Sequence, residues 1–243
     1  MDLLIDVDIY IFKLYNLIIY ITEVSMKKQV IVVSDFDGTI SVKDVNRSLF
    51  HTFGNEKNKE IEIQYKNNKI GLIEDLSAQY KAIGISKKTF DDYVRSNMEI
   101  DETFFKLVDY AKQNGIKIAV VSGGFINYVK LLYEKYGRNI DIPVYSNLLV
   151  EKDGIMVPKY TEAPICTSKF GPCGICKMKH VQEYKKHCTV VYAGDGSTDR
   201  CAAHEADIVF AKGNLLKYCM DNGIQYHSFS SFEDIETYLK KVC

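Results

Sequence analysis

Two carboxylates, Asp35 and Asp37, stand in the pentapeptide Asp35-Phe36-Asp37-Gly38-Thr39, separated by Ser34 from the apolar run Val30-Ile31-Val32-Val33. The run reads as a buried strand. Its alternation sends both acids to the same side of the chain, and Gly38 lets the backbone turn sharply away. Two such charges about 4 Å apart, at an effective dielectric near 20, repel by roughly 4 kcal/mol. Nothing structural is gained by that arrangement, so a positive group belongs there, and a divalent cation is the natural candidate.

A second acidic cluster lies far along the chain. Thr189-Val190-Val191-Tyr192-Ala193, β-branched and aromatic, reads as another strand. It runs into Gly194-Asp195-Gly196-Ser197-Thr198-Asp199, again delivering carboxylates into a glycine-rich loop. Between the clusters, the run Ile118 to Val121 ends in Ser122-Gly123-Gly124, and Lys177 follows. Open α/β sheets bind ligands outside the carboxyl ends of their strands. Three strands ending in polar loops predict one shared crevice holding acids, a hydroxyl, backbone N–H groups and a lysine.

The order acid pair, Ser-Gly-Gly, Lys, acid pair resembles the haloacid dehalogenase superfamily of phosphotransferases, from about Lys27 to the C-terminus. The resemblance implies an α/β fold with a doubly wound, Rossmann-like parallel sheet, and a Mg²⁺-dependent phosphatase. It implies Asp35 as nucleophile forming an aspartyl-phosphate, a known covalent strategy for carboxylates. Asp37 would be the general acid, then the base toward water. Mg²⁺ would be held by Asp35, the Asp37 carbonyl and Asp195, with Asp199 as a further ligand or as the group orienting a water of the ion's shell; oxygen ligands suit this ion. Asp199 could also favour the N-terminus of the helix that follows it. Ser122 and the Gly123 N–H would hold phosphate oxygens, and Lys177 would neutralise charge. Lys179 is a rival to Lys177, since lysines crowd this segment.

Substrate signals are weaker. Asp44, nine residues after Asp35, stands where phosphoserine phosphatases usually carry a Glu for the substrate amine. Pro172-Cys173-Gly174-Ile175-Cys176-Lys177 looks like the segment found in the 2-hydroxy-3-keto-5-methylthiopentenyl-1-phosphate phosphatases of methionine salvage. The expected substrate is therefore a small phosphorylated metabolite, with a phosphoserine-phosphatase-like enzyme and a non-catalytic binding or regulatory protein of the same fold as alternatives. Arg47, Tyr65, Tyr80 and Arg95 are candidates to face the substrate, or to be surface and core. Cys166, Cys173 and Cys176, with His180 or Cys188 as a fourth ligand, have half the spacing of a structural Zn²⁺ site.

The elements that must carry these groups follow from pattern and punctuation. Between the first two strands, the stretches Asp44 to Phe53, Lys57 to Asn67, Leu72 to Ile83 and Lys87 to Met98 read as helices, punctuated by Gly54, Gly71 and Gly84, with Ser86 as an N-cap. Four helices there cannot join a parallel sheet, so residues 44–99 are expected to form a helical cap on a core of residues 26–43 and 100–243. Val144 to Val150 and Gly154 to Val157 predict a hairpin turning at Lys152-Asp153-Gly154. Residues 158–176 read as a long irregular loop. Two strand–helix units close the sheet, and Ser231 with Asp234 resembles a capping box at the last helix.

The 243 residues carry a formal net charge of −1, so no basic footprint for nucleic acid exists. Leu3 to Ile21 is largely apolar but interrupted by Asp6, Asp8, Lys13 and Asn16. Residues 1–25 read as an extension upstream of the true start or as a peripheral element, with a membrane anchor as the alternative. Seven cysteines without a secretory signal suggest thiols in a reducing, cytoplasmic compartment.

Overall fold

A computed structural model of the protein describes residues 11–13, 15, 28–160 and 172–242. Most of the proposed extension and Cys166 lie outside the described residues.

The first strand, β1 (Gln29–Ser34), is the middle of a seven-stranded sheet. On one side it pairs in parallel with β2 (Lys117–Phe125), which pairs with β3 (Val144–Lys152). On the other side come β5 (Cys188–Gly194), β6 (Ile208–Ala211) and the short β7 (His227–Ser228), all parallel. Among the described strands only β4 (Ile155–Lys159) is antiparallel; it pairs with β3 through the expected hairpin, where Asp153 and Gly154 both take positive φ. That two-residue geometry matches strand twist and favours Asp-Gly. The expected doubly wound parallel sheet is the observed one.

Burial on both faces explains the apolar strands. Val32, Val120 and Val191 pack into one core. Ile31, Val33, Ala119, Val121 and Val190 pack into another on the opposite face. Helices α5 (Thr103–Gln113), α6 (Ile126–Lys135) and α10 (Phe232–Val242) cover the first core. Helices α7 (Lys177–Lys185), α8 (Arg200–Glu205) and α9 (Gly213–Asn222) cover the second. The Asp234 carboxylate accepts the Ser231 N–H at 3.3 Å, supplying the reciprocal half of the expected capping box.

Between β1 and α5 stand four helices: α1 (Val45–Phe53), α2 (Glu56–Lys66), α3 (Leu72–Ile83) and α4 (Lys87–Asn97). Asp44, Asn55 and Ser86 cap α1, α2 and α4 with side-chain oxygens, removing orphan N–H groups at each start. A bridge between Ser41 and Ile100 draws the two connecting segments together. One sequence expectation shifts: β2 does not stop at Ser122 but continues through Gly123 and Gly124 to Phe125, with an irregularity in its pairing to β3 after Val121. Glycine suits such a break in register.

Candidate active site

β1 is where connections leave the sheet in opposite directions, toward β2 on one side and β5 on the other. The C-terminal ends of these three strands therefore open a crevice, and each carries one of the predicted loops. Asp35 extends the β1–β5 ladder by one bond, its N–H donating to the Ala193 carbonyl at 2.9 Å. Its Oδ1 accepts the Phe36 N–H at 2.7 Å and the Lys177 ammonium at 2.8 Å. These donors fix the plane of a carboxylate that is 4% exposed.

Lys177 is the first residue of α7, where a cation is disfavoured by the helix dipole. It is nonetheless buried, because Asp199 Oδ1 at 2.6 Å and Asp35 flank it. Lys179 is exposed, so the structure places Lys177, not its rival, among the acids. Asp199 is fully buried. Its Oδ1 also accepts the Tyr192 hydroxyl at 2.6 Å, and its Oδ2 accepts the N–H groups of Asp195 and Gly196 at 3.0 and 2.8 Å. Asp199 thus ties the loop to the lysine. Asp195 is held by the Thr39 hydroxyl at 2.8 Å. Gly38, at φ +74°, passes so close that a Cβ there would meet Asp195 Oδ2 at 2.6 Å.

Asp37 receives the Val45 N–H on Oδ1 at 3.0 Å. On Oδ2 it receives the Tyr128 hydroxyl, and that of Ser122 at 3.4 Å. Ser122 in turn accepts the Gly124 N–H at 3.0 Å. Asn147 on β3 anchors the Gly123 carbonyl at 2.9 Å. Thus Asp35, Asp37, Asp195, Asp199, Ser122, Gly123 and Lys177 are brought into one crevice.

A cleft of about 910 Å³ spans these residues and the inserted helices. Asp44 lines it while its Oδ1 caps α1 through the Arg47 N–H at 2.9 Å. Arg47 and Tyr65 line the cleft as well, the guanidinium lying 4.9 Å from the Tyr65 ring and 2.6 Å from the Asp75 carboxylate. The other two cap candidates do not face it: Tyr80 is fully buried, and Arg95 pairs with Glu134 at the surface.

The electrostatics show strain among like charges. Burial, then the Asp199 carboxylate, push Asp35 well above the usual carboxylate range, against the pull of Lys177. Burial and Asp199 push Asp195 up to about 6. Burial, then Asp44, push Asp37 up to about 7, with the Tyr128 and Val45 hydrogen bonds acting the other way. Burial alone would lower Lys177, yet Asp199 and Asp35 hold it above its ordinary value.

Asp35, Asp195 and Asp199 each bring one oxygen within 4.8 Å of the others, close enough that the cluster could hold a metal ion. At that separation and an effective dielectric near 20, each ionised pair repels by at least about 3 kcal/mol. Hard oxygen donors with unrelieved negative charge fit Mg²⁺. Zinc at Cys166, Cys173 and Cys176 gains no support: no cysteine joins a ligand group among the described residues, and the His180 ring lies tilted against Tyr145 with centroids 4.2 Å apart.

A family model described as "Putative Phosphatase" matches residues 30–233, most of the chain. The chain belongs to that family. This phosphatase is 25% identical over 231 residues to the polyol phosphate phosphatase of Saccharomyces cerevisiae, covering 87% of this chain and 93% of that protein. It is 28% identical over 213 residues to the 2-hydroxy-3-keto-5-methylthiopentenyl-1-phosphate phosphatase of Bacillus mycoides, covering 85% and 94%. A substrate-bound phosphoserine phosphatase superposes with a TM-score of 0.65 at 20% identity, covering 87% of this chain and 99% of that one, which supports the fold. The enzyme is a phosphatase, as the four motifs implied.

Sequence reasoning missed the supporting residues of this phosphatase. In sequence Tyr192 reads as strand filler, and nothing marks out Tyr128, Asn46 or Asp75. A polar tip on an otherwise buried strand residue, as in Tyr192, is the signal that was available.

Proposed function

We propose that this phosphatase hydrolyses a small phosphate monoester in two steps through a phosphorylated Asp35. The observation that carries the reading is Lys177 bridging Asp35 and Asp199, with Asp195 beside them and Asp37 across the crevice. Asp35, Asp195 and the Asp37 carbonyl would hold Mg²⁺, which when bound supplies positive charge to the phosphate oxygens and offsets the carboxylates. Asp199, with both oxygens engaged by Lys177, Tyr192 and loop N–H groups, acts by holding Lys177 and the Asp195 loop in place.

In the first step an Asp35 oxygen attacks phosphorus. The bond to the leaving oxygen breaks with its electron pair, and that oxygen takes the proton of Asp37. The raised pKa of Asp37 keeps a proton available near neutrality. In the second step Asp37 removes a proton from water as it attacks phosphorus, the Asp35–phosphorus bond breaks, and inorganic phosphate leaves. Ser122, the Gly123 N–H and Lys177 stabilise the phosphoryl oxygens by preorganised donors. Residues 44–99 act as a cap that limits water during the first step.

The leaving group is proposed to be neutral and hydroxylated rather than an amino acid. Arg47, which lines the cleft with Arg200, Lys66 and Lys69, is already matched by Asp75, and Leu72, Ile73 and Leu76 line the cleft as well. Asp44 spends an oxygen on its helix cap. The two curated relatives are named for a polyol phosphate and a hydroxy-keto methylthiopentenyl phosphate, both of this character. The test is phosphate release from a panel of polyol phosphates, methylthiopentenyl phosphates and phosphoserine, with Mg²⁺ or with EDTA. The expected result is Mg²⁺-dependent turnover with the neutral hydroxylated esters preferred. Preference for phosphoserine, or turnover undiminished in EDTA, contradicts the reading.

A further inference from the structure

We propose that Tyr128 is a positioning residue for the general acid, its hydroxyl aimed by a buried chain that starts at Tyr80 and fixing the orientation from which Asp37 protonates the leaving oxygen. The inference rests on the reading of Asp37 as that acid.

The chain is continuous and directional. The Tyr80 hydroxyl donates to Asn46 Oδ1 at 2.9 Å. The Asn46 amide is oriented so that its Nδ2 donates to the Tyr128 oxygen at 3.2 Å. A hydroxyl has one proton. Having accepted from Asn46, Tyr128 directs its own proton to Asp37 Oδ2, where the hydrogen bond closes the chain. Tyr80 and Tyr128 are fully buried and Asn46 is 5% exposed, so water does not compete. In such surroundings a satisfied network is strong and specific.

Two features separate this arrangement from ordinary core packing. First, Gly124 leaves room for it: a Cβ there would lie 1.5 Å from the Tyr128 hydroxyl oxygen and 2.3 Å from Asp37 Oδ2. The contact occupies the space a side chain would need. Second, the chain crosses from the inserted helices to the core. Tyr80 is on α3, Asn46 on α1 and Tyr128 on α6, so the acid is supported partly by the elements that roof the cleft. The ring of Tyr128 has its own packing, stacked on Phe36 at 5.8 Å and edge-on to Phe125 at 6.2 Å. Phenylalanine preserves that packing and removes only the hydroxyl.

The test compares kcat and KM for glycerol 1-phosphate, an alkyl ester that needs a proton on departure, and 2,4-dinitrophenyl phosphate, which does not. Wild type, Tyr128→Phe, Tyr80→Phe and Asp37→Asn are measured, with thermal melts confirming folding. Asp37→Asn should lower kcat/KM, which reports the steps up to departure of the leaving group and not the shared hydrolysis step, by about 10²–10⁴ on the alkyl ester and spare the aryl ester far more. Tyr128→Phe should show the same discrimination at about tenfold to hundredfold, the worth of one hydrogen bond to a charged group, with KM changed by less than about twofold. Tyr80→Phe should follow the pattern more weakly. Equal losses on both esters for Tyr128→Phe, or a change in KM alone, overturn the proposal while leaving Asp37 as acid. If Asp37→Asn itself shows no discrimination, the acid assignment falls and the proposal with it.

Discussion

Replacing Asp195 by Asn should stabilise the metal-free enzyme while abolishing its response to Mg²⁺. In the fold, burial and the Asp199 carboxylate push Asp195 up to about 6 from an ordinary 3.8. A raised carboxylate pKa means the folded state prefers the protonated form. Its stability is therefore undiminished below about pH 4, falls as pH rises through about 4 to 6, and carries the full penalty above that. A shift of about 2 units corresponds to roughly 3 kcal/mol. Asn keeps an oxygen for the Thr39 hydroxyl and carries no charge. In EDTA at about pH 7.5, Asp195→Asn should melt about 6–12 °C above wild type, at roughly 2–4 °C per kcal/mol for a chain of this size. At about pH 4, where the folded carboxylate is protonated and the unfolded one roughly half ionised, most of the gap should close. Mg²⁺ should raise the wild-type melting temperature saturably and move the variant little. Calorimetric melts at both pH values, with and without the ion, read all of this. A variant that melts below wild type in EDTA near neutrality, or that gains as much from Mg²⁺, refutes the reasoning.

Other outcomes follow from the same charges. Lys177→Met should eliminate turnover and, by leaving Asp35 and Asp199 buried without their cation, lower stability by about 3–5 kcal/mol in EDTA; denaturant titration measures it. The kcat/KM for an alkyl phosphate should fall above about pH 7, as Asp37 loses the proton it must donate, while an activated aryl phosphate shows no such limb.

The strands and their loops were legible because apolar runs punctuated by glycine leave few alternatives, and because catalytic carboxylates have no structural reason to be there. The four inserted helices were readable from Gly54, Gly71 and Gly84 and from the Ser86 cap, signals that act within a few residues of sequence. What sequence could not show was contact across long separations. Tyr128 meets Asp37 across 91 residues, and Arg47 meets Asp75 across 28. A tyrosine in an amphipathic helix looks the same whether its hydroxyl reaches solvent or an acid. Tyr80 illustrates the point: sequence left it between facing the substrate and packing in the core, and it is fully buried. The choice between Lys177 and Lys179 likewise waited on burial, since both stand in the first turn of one helix. The extension of β2 through Gly123 and Gly124 was missed because paired glycines read as a loop, whereas here they form the irregular strand end that lets the chain pass close to Asp37.

The central claim is that Asp35 becomes phosphorylated. Enzyme mixed with ³²P-labelled phosphate ester and Mg²⁺, quenched in acid during turnover and digested, should carry the label on the peptide containing Asp35. Asp35→Asn should carry none and release no phosphate. Label on another residue, or sustained phosphate release by Asp35→Asn, contradicts the account.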